Sequence, residues 1–311
     1  WMNGIAAYSM WWLIIHHDLY MYGGDLPYLR EQKEYINGLI DVLSSNMDGN
    51  RENLQGGQRL LDWPTSEMPE VIHSGYQSLM VMTMEAGARI GEWTGDKDMR
   101  KKCIDTLDKL RKYNPGSCNN KQAAAMLLIS GMAESPTNEC DIIAKDGANG
   151  FSTFFGYYML RALAMGGRFE EAMEIISDYW GAMLDLGATS FWEDLDYAEA
   201  LKAARIDEPV PHGAFDYHAS SGNYCYKGHR HSFCHGWASG PTSWMSQYIL
   251  GITPLEPGCR KVAIRPNLGK LQWAEGSFPT PYGVINVKHR RQPSGKIETT
   301  YTAPDGVKVI L

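Results

Sequence analysis

The sequence predicts a mainly α-helical protein with a β-structured tail, and two observations carry this prediction. From residue 3 to about residue 250, apolar residues recur at helical spacing in segments joined by turns. After "GITPLEPGCRK" at 251–261 the pattern changes to period-two alternation, as in "KVAIRP" and "GVINVKHR", with Pro and Gly between the segments. We therefore expect a helical domain at 1–251 and a small antiparallel β-sandwich domain at 252–311.

About eight helices are expected in the first domain. They are predicted at 3–21, 26–46, 69–91, 96–113, 120–133, 151–166, 169–185 and about 235–250. The turn "GGR" at 166–168 is short enough to force its two flanking helices into antiparallel packing. Longer loops are predicted at 47–68, 134–150 and 187–233, and long loops in a compact domain are often functional.

Antiparallel helical hairpins in this number suggest an (α/α)6 toroid. A closed barrel of six hairpins would need about four more helices, so an incomplete toroid is expected. The chain opens on Trp1 in the middle of an apolar pattern, which agrees with a cut through a larger protein.

Composition limits the function classes. The 311 residues are 44% hydrophobic and 21% charged, with a net charge of −7, an ordinary globular balance. Nucleic-acid binding is disfavoured because phosphate recognition requires clustered Lys and Arg. The apolar stretch "YSMWWLII" at 8–15 is too short to span a membrane and predicts a buried helix face. Since GxGxxG, P-loop and Gly-x-Ser-x-Gly motifs are absent from the sequence, we expect no nucleotide site and no cofactor.

The six cysteines show no CxxC pair and are irregularly spaced, which favours free buried thiols over a disulfide framework. They are Cys103, Cys118, Cys140, Cys225, Cys234 and Cys259.

The stretch "GATSFWEDLD" at 187–196 is the first candidate site. Acids at a turn are usually solvated or serve as helix caps, and that reading applies to Asp194 and Asp196. Glu193 differs because Phe191 and Trp192 precede it. A carboxyl group beside an indole loses hydration, its pKa rises, and it becomes usable in proton transfer near neutral pH.

The stretch "GHRHSFCHGW" at 228–237 gathers His229, His231, Cys234 and His235. Zinc accepts imidazole and thiolate ligands together. However, no second pair of ligands occurs elsewhere at a matching spacing, so buried or substrate-binding histidines are favoured and no metal is predicted.

The stretch "LLDWPTSE" at 60–67 contains the third candidate. Pro64 and Ser66 account for a helix start. Asp62 and Trp63 need another explanation, because a Trp in an exposed loop is favoured by a ligand or a packing neighbour.

Taken together, these stretches resemble the α-L-rhamnosidase family of glycoside hydrolases, family 78. The resemblance rests on "GATSFWE" at 187–193, "SFCHGWASGP" at 232–241, and "LGITPLEPGCRKVAIRPNLGKLQWAEGSFPTPYGVINV" at 250–287. The helical rhythm around "GDKDMRKKC" at 95–103 is also similar. The resemblance covers essentially the whole chain.

The resemblance implies a six-hairpin α/α barrel followed by a β-sandwich, and hydrolysis of terminal α-L-rhamnosides with inversion. It implies that Glu193 is the general base, that His235 contacts the sugar, and that Trp63 lines the sugar pocket. The predicted substrate-binding set is Trp63 and His235 with Asp62 and Trp192, and the expected partner is a carbohydrate.

One departure from the family pattern concerns the general acid, which the family carries in an Asp- and Arg-rich motif near the start of the barrel. No match is found here. "EWTGD" at 92–96 looks like the tail of that motif, but it lies between two amphipathic helices and is interpreted as a turn and a helix cap. The acid is therefore expected before Trp1, or the chain as given is not catalytic.

Three other classes stay open. A non-catalytic sugar-binding relative would keep Trp63 and His235 without a paired acid. A zinc cyclase similar to the lanthionine synthetases would use Cys234 and His235 as ligands, although its upstream Trp-Cys motif is absent and "NYCYKG" at 223–228 is a poor substitute. Another α/α glycosidase or uronyl hydrolase would differ in its sugar.

Overall fold

The computed structural model describes residues 2–222 and 227–311, and its contacts divide the chain into two compact units. The first unit comprises Trp1–Leu61, Ile72–Gly116 and Met245–Leu311. The second comprises Asp62–Val71 and Ser117–Trp244. Cys225 and most of "NYCYKG" lie outside the described residues. The division into domains at 1–251 and 252–311 stays a prediction.

The protein is mostly helical, as predicted. The α-helices of the described residues are α1 (Ala6–Gly23), α2 (Leu26–Glu31), α3 (Lys33–Ser45), α4 (Pro69–Thr94), α5 (Lys97–Leu110), α6 (Lys121–Ile129), α7 (Pro136–Ala144), α8 (Gly156–Met165), α9 (Phe169–Asp185), α10 (Tyr197–Ala200), α11 (Tyr217–Ser220) and α12 (Gly240–Trp244). Within the described residues, no helix is both long enough and apolar enough to cross a membrane.

Local signals explain several helix ends in the first unit. Helix α1 stops where Gly24 adopts a left-handed conformation with φ 73°. A side chain at Gly24 would also collide with the backbone of Gly258, since an added Cβ would lie 2.8 Å from its Cα. Asp25 then caps α2 by accepting from the backbone N–H of Tyr28 at 2.9 Å. The single helix predicted at 26–46 is divided at Gln32.

Asp96 caps α5 by accepting from the backbone N–H of Met99 at 2.9 Å, and Lys33 lies 2.9 Å from its other oxygen. Asp96 is therefore confirmed as a cap and Gly95 as a turn, whereas Glu92, Trp93 and Thr94 form the end of α4.

Two predictions about the second half of the helical region are wrong. The loop expected at 134–150 contains α7, which Ser135 caps and Pro136 opens. The helix expected at 235–250 is instead a 3₁₀ turn (Gly236–Ser239), the short α12, and a π-helical turn (Met245–Ile249). Helix α9 has the predicted bounds.

The strands of the described residues form four small sheets. They are β1 (Met47–Asp48), β2 (Arg51–Glu52), β3 (Ala203–Ala204), β4 (Phe215–Asp216), β5 (Ile252–Pro254), β6 (Lys261–Ile264), β7 (Trp273–Thr280), β8 (Gly283–Arg291), β9 (Ile297–Thr302) and β10 (Lys308–Ile310). The C-terminal strands make two three-stranded sheets, β10-β6-β5 and β7-β8-β9.

The two C-terminal sheets share an apolar core. Ile252, Val262 and Ile264 come from the first sheet, and Phe278, Ile285 and Val287 come from the second. Every strand pair in these sheets is antiparallel except β6–β10, which is parallel with Val262 opposite Val309. The expectation of a purely antiparallel tail is wrong for this pair. The chain leaves β9 and returns to the free edge of β6 running in the same direction.

Candidate functional site

Two of the predicted stretches lie side by side in the second unit, and we call them the base loop (187–196) and the histidine loop (228–237). Backbone hydrogen bonds join them. The N–H of Glu193 donates to the carbonyl of Ser232 at 2.9 Å, and the N–H of His235 donates to the carbonyl of Phe191 at 2.8 Å. The hydroxyl of Ser190 donates to the carbonyl of Phe233. The two loops therefore hold Glu193 and His235 in a fixed relation.

The carboxylate of Glu193 is mostly enclosed but retains access to solvent, with 18% of its side chain exposed. Its Oε2 accepts from the backbone N–H of Ser232 at 3.0 Å. Its Oε1 lies 3.8 Å from Nε2 of His235. One oxygen is thus fixed by the backbone, while the other is directed towards an imidazole.

Two side chains hold the backbone carbonyl of Glu193. It accepts from Oγ1 of Thr153 at 2.5 Å and from Nε1 of Trp237 at 2.6 Å. The Trp237 ring stacks on Phe154 with centroids 5.2 Å apart and contacts the ring of His235 at 4.4 Å. The segment just before α8 therefore contacts both loops.

Sequence reasoning missed Thr153, Ser232 and Trp237. The only local signal was a Ser-Thr pair at a helix start, which predicts a cap and not a contact 40 residues away.

Trp192 has no exposed surface. Its ring stacks on Phe233 with centroids 4.3 Å apart and lies 5.5 Å from Tyr217. A fully buried indole offers no face to a sugar, so the structure does not support the substrate contact predicted for Trp192. By packing on Phe233, its ring helps to hold the base loop against the histidine loop.

Asp62 is also buried, with 2% of its surface exposed. Its Oδ2 accepts from Oγ of Ser152 at 2.7 Å and from Nε2 of Gln122 at 3.1 Å. Its Oδ1 accepts from the backbone N–H of Trp63 at 3.0 Å. Burial raises the pKa of Asp62 to about 6, and these hydrogen bonds only partly oppose the rise.

Trp63 opens the 3₁₀ turn Trp63–Thr65, for which Asp62 is the N-cap. The residue is half-buried and keeps some exposed surface. Of the two residues predicted in "LLDWPTSE", Trp63 can therefore present a surface, whereas Asp62 supports the turn from inside.

The base loop contains two further acids, Asp194 and Asp196. Asp196 caps α10 by accepting from the N–H of Glu199 at 2.9 Å. Burial, together with the charges of Asp62, Asp196 and Glu193, raises the pKa of Asp194 to about 6.

His231 anchors the base loop next to Glu193. The backbone N–H of Asp194 donates to Nε2 of His231 at 3.0 Å, so that nitrogen must be unprotonated. Burial lowers the pKa of His231, which favours the neutral ring that this bond requires.

No group of three or more His, Cys, Asp or Glu side chains suited to hold a metal ion occurs within residues 2–222 and 227–311. Cys234 is exposed, and Nδ1 of His235 faces the N–H of Trp237 at 3.4 Å. The arrangement of these two side chains therefore gives no support to a zinc cyclase.

The C-terminal part of the chain is similar to a domain of known proteins. Residues 251–311 match the family model described as the bacterial α-L-rhamnosidase C-terminal domain. An α-L-rhamnosidase of Alteromonas sp. (strain LOR) is 42% identical over 62 residues, which are 20% of this chain and 7% of that protein.

Solved structures extend the likeness in fold over nearly the whole chain. The family 78 rhamnosidase of Bacillus sp. GL1 aligns with 98% of this chain and 33% of its own, at a TM-score of 0.75 and 20% identity. The Streptomyces avermitilis α-L-rhamnosidase complexed with L-rhamnose aligns with 94% of this chain and 28% of its own, at a TM-score of 0.70 and 21% identity.

The resemblance to the α-L-rhamnosidases of glycoside hydrolase family 78 is thus confirmed. The chain spans about a third of the length of the solved structures that it matches.

Proposed function

We propose that this chain supplies the general base and part of the sugar site of an inverting α-L-rhamnosidase-like glycoside hydrolase. In this proposal residues 1–251 are part of an (α/α)6 toroid, and residues 252–311 are a β-sandwich. The C-terminal family match and the fold likeness to family 78 rhamnosidases support the assignment of the enzyme class. The role of each residue rests on the geometry of the base and histidine loops.

The observation that carries the proposal is the setting of the Glu193 carboxylate. An inverting glycosidase uses one carboxylate to accept a proton from the water that attacks the anomeric carbon. That carboxylate must be ionised, held still and little solvated. Ser232 fixes one oxygen of Glu193, and Thr153 and Trp237 fix its backbone carbonyl. Its other oxygen, 3.8 Å from His235, is the atom that would receive the proton.

The sugar contacts are assigned to Trp63 and His235. A half-buried indole can stack on the apolar face of a pyranose, and the imidazole of His235, 35% exposed, can bond a hydroxyl group. Terminal α-L-rhamnose is the proposed sugar, because one relative of this fold is described as complexed with L-rhamnose. Asp62 and Trp192 are buried, so neither is assigned a contact with the sugar, and both support the residues that contact it.

The reaction requires a second carboxyl group that protonates the departing oxygen. In inverting enzymes the two carboxyl groups lie roughly 6.5–9.5 Å apart, which leaves room for the attacking water. No residue of this chain is assigned that role.

Glu193→Gln tests the proposal because it keeps the shape of the side chain and removes its basicity. Turnover of an aryl α-L-rhamnoside by the active enzyme should fall by about 10²–10⁴-fold, the usual contribution of a general base, with little change in L-rhamnose affinity. Glu170→Gln, the same change at an exposed residue in the first turn of α9, is the matched control and should keep normal turnover.

Azide sharpens the test. In Glu193→Ala, azide should attack the anomeric carbon in place of water, since it needs no base, and the aglycone leaves with a proton from the general acid. The product should be a glycosyl azide of inverted configuration. Near-normal turnover in Glu193→Gln would show that Glu193 is structural. If the wild-type protein binds L-rhamnose but hydrolyses no rhamnoside, it is instead a non-catalytic sugar-binding relative.

A further inference from the structure

The buried carboxylate of Asp62 has no part in the proposed reaction, yet it touches several elements of the site. It accepts from the backbone of Trp63, from the side chain of Gln122 at the start of α6, and from Ser152 just before α8. All three donors are uncharged. A buried polar group is usually retained for the contacts it organises, since burying it carries a desolvation penalty.

Ser152 connects Asp62 to the base loop. Its hydroxyl donates to Asp62 at 2.7 Å and accepts from the backbone N–H of Phe155 at 3.1 Å, so its own position is fixed on both sides. The next residue, Thr153, donates to the carbonyl of Glu193 at 2.5 Å. The residue after that, Phe154, stacks on Trp237, which donates to the same carbonyl.

We propose that Asp62 is a positioning residue that sets the placement of Trp63 relative to Glu193 through the dipeptide Ser152–Thr153. The functional meaning of this link rests on the proposed function, in which Trp63 meets the sugar and Glu193 activates water. The link itself is a chain of three hydrogen bonds: Trp63 N–H to Asp62, Ser152 O–H to Asp62, and Thr153 O–H to Glu193.

Replacing the carboxylate by an amide breaks this link for a specific reason. A carboxylate offers acceptors on both oxygens, and Asp62 uses Oδ1 for Trp63 and Oδ2 for Ser152 and Gln122. Asn has one acceptor atom and one donor atom. If its oxygen keeps the backbone bond to Trp63, its nitrogen cannot accept from Ser152 or Gln122, and both of those bonds must reverse or break. Asp62→Asn should therefore disturb one end of the link while keeping nearly the same volume.

Fluorine NMR of protein labelled with 5-fluorotryptophan reads both ends of the link without requiring activity. The resonances of Trp63 and Trp237 are assigned with Trp63→Phe and Trp237→Phe. Asp62→Asn should shift both, because the link runs from Asp62 to the carbonyl of Glu193, to which Trp237 donates. Asp25→Asn, the same change at the exposed N-cap of α2, is the control and should shift neither. A Trp237 resonance unmoved in Asp62→Asn would overturn the inference.

L-rhamnose binding gives the second measurement. Asp62→Asn should weaken binding about tenfold in the wild-type background, the factor that corresponds to about 1.4 kcal/mol. In the Trp63→Ala background it should have little further effect, because the residue through which Asp62 acts is gone. Equal weakening in both backgrounds would mean that Asp62 acts elsewhere and would overturn the inference.

The two proposals fail in distinguishable ways. If wild-type protein binds no L-rhamnose, or Trp63→Ala binds it as well as wild type, the sugar site is wrong while the NMR measurement still decides the link. If Trp63→Ala weakens binding and Asp62→Asn does not, only the positioning role is wrong. If Asp62→Asn does not fold, Ser152→Ala removes one hydroxyl from the same link and should shift the Trp237 resonance; no shift would contradict the proposal.

Discussion

Glu52 and Asp62 lie ten positions apart in the sequence, and both are almost completely buried, with 3% and 2% of their surface exposed. Their acidities move in opposite directions. Burial pushes the pKa of Glu52 upward, but hydrogen bonds from His73 and Arg59 outweigh it, and the pKa is lowered. Asp62 has only uncharged donors, and its pKa rises to about 6. The partner decides the protonation state, and burial alone does not.

The comparison separates two uses of a buried carboxylate. Glu52 neutralises Arg59, whose Nη2 is 2.6 Å from Oε1, and orients the ring of His73, whose Nδ1 is 2.5 Å from the same oxygen. Gln77 accepts from its backbone N–H, which closes the network. This is a stability element of the first unit. Asp62 instead organises Trp63 and Ser152 in the unit that holds Glu193, and an upward-shifted carboxyl in such a place is typical of functional sites.

Removing the charge of Glu52 should have the largest effect on stability. Glu52→Gln leaves Arg59 and His73 without an anionic partner, and breaking a buried pair on one side costs about 3–5 kcal/mol. The lower end of that range is expected because 23% of the Arg59 side chain is exposed. Denaturant unfolding at pH 7 measures the free energy of unfolding.

The sign of the pH dependence makes this test specific. Because the folded pKa of Glu52 is lowered, its contribution is present above its ordinary value of 4.5 and is lost as pH falls through the folded pKa. The difference between wild type and Glu52→Gln should therefore shrink on acidification. Glu92→Gln, at an ion pair with Arg89 that is exposed on both sides, is the control and should change stability by less than about 1 kcal/mol. Equal losses in the two variants would refute the assigned role.

For Asp62→Asn, the difference in unfolding free energy from wild type should change with pH in the opposite direction, and it should be smaller. The folded pKa of Asp62 is raised from 3.8 to about 6, so the folded state holds the proton more tightly than the unfolded chain. Well below pH 3.8 the group is protonated in both states. As pH rises through 6 the folded protein must ionise a buried group, and wild type loses up to about 3 kcal/mol that Asn does not lose.

Relative to wild type, Asp62→Asn should therefore gain stability between pH 4 and pH 7. Unfolding free energies of the two proteins, measured at matched pH values, give this difference directly. The direct contribution of His231 largely cancels because both proteins contain it. The pKa of Asp194, which the charge of Asp62 raises, should fall in Asp62→Asn and add to the same gain. A difference that stays constant over this pH range would mean that Asp62 titrates as it does in the unfolded chain.

Much of the helical framework could be predicted because its signals are local. The bounds of α9 were predicted from apolar periodicity between two turns, and the acid of "EWTGD", Asp96, was predicted as a helix cap. Helix α7 could have been found by the same means. Ser135 followed by Pro136 is a helix-start signal, and the polar sequence that follows obscured it.

The site could be predicted only in part because its contacts are distant in sequence. The identities of Glu193, Trp63 and His235 came from a family resemblance. The residues that hold them, Thr153 and Ser152, contact partners 40 and 90 positions away, and no local pattern encodes such a pairing. Trp192 shows the same limit, because a position next to an accessible Glu193 does not reveal that the indole points into the core.

The smallest effect is expected at Asp96, the third carboxylate of this comparison and the acid of the stretch "EWTGD". It is partly accessible, with 14% of its side chain exposed, and its partner Lys33 is 40% exposed. Its bonds to the N–H of Met99 and to Lys33 lower its pKa to about 2. Asp96→Asn keeps a good N-cap but removes the charge from the ion pair and from the helix dipole, which should cost about 1 kcal/mol.

Because the folded pKa of Asp96 is lowered, its contribution is present above 3.8 and is lost as pH falls towards 2, the same sign as for Glu52. Asp98→Asn, an exposed change in the first turn of α5, serves as the control, with a smaller change in stability. Turnover of an α-L-rhamnoside by the active enzyme should be unchanged in Asp96→Asn, because the carboxylate of Asp96 caps α5 and pairs with Lys33. A loss of turnover as large as that expected for Glu193→Gln, without a matching loss of stability, would instead assign catalytic chemistry to "EWTGD" and overturn its interpretation as a turn and a cap.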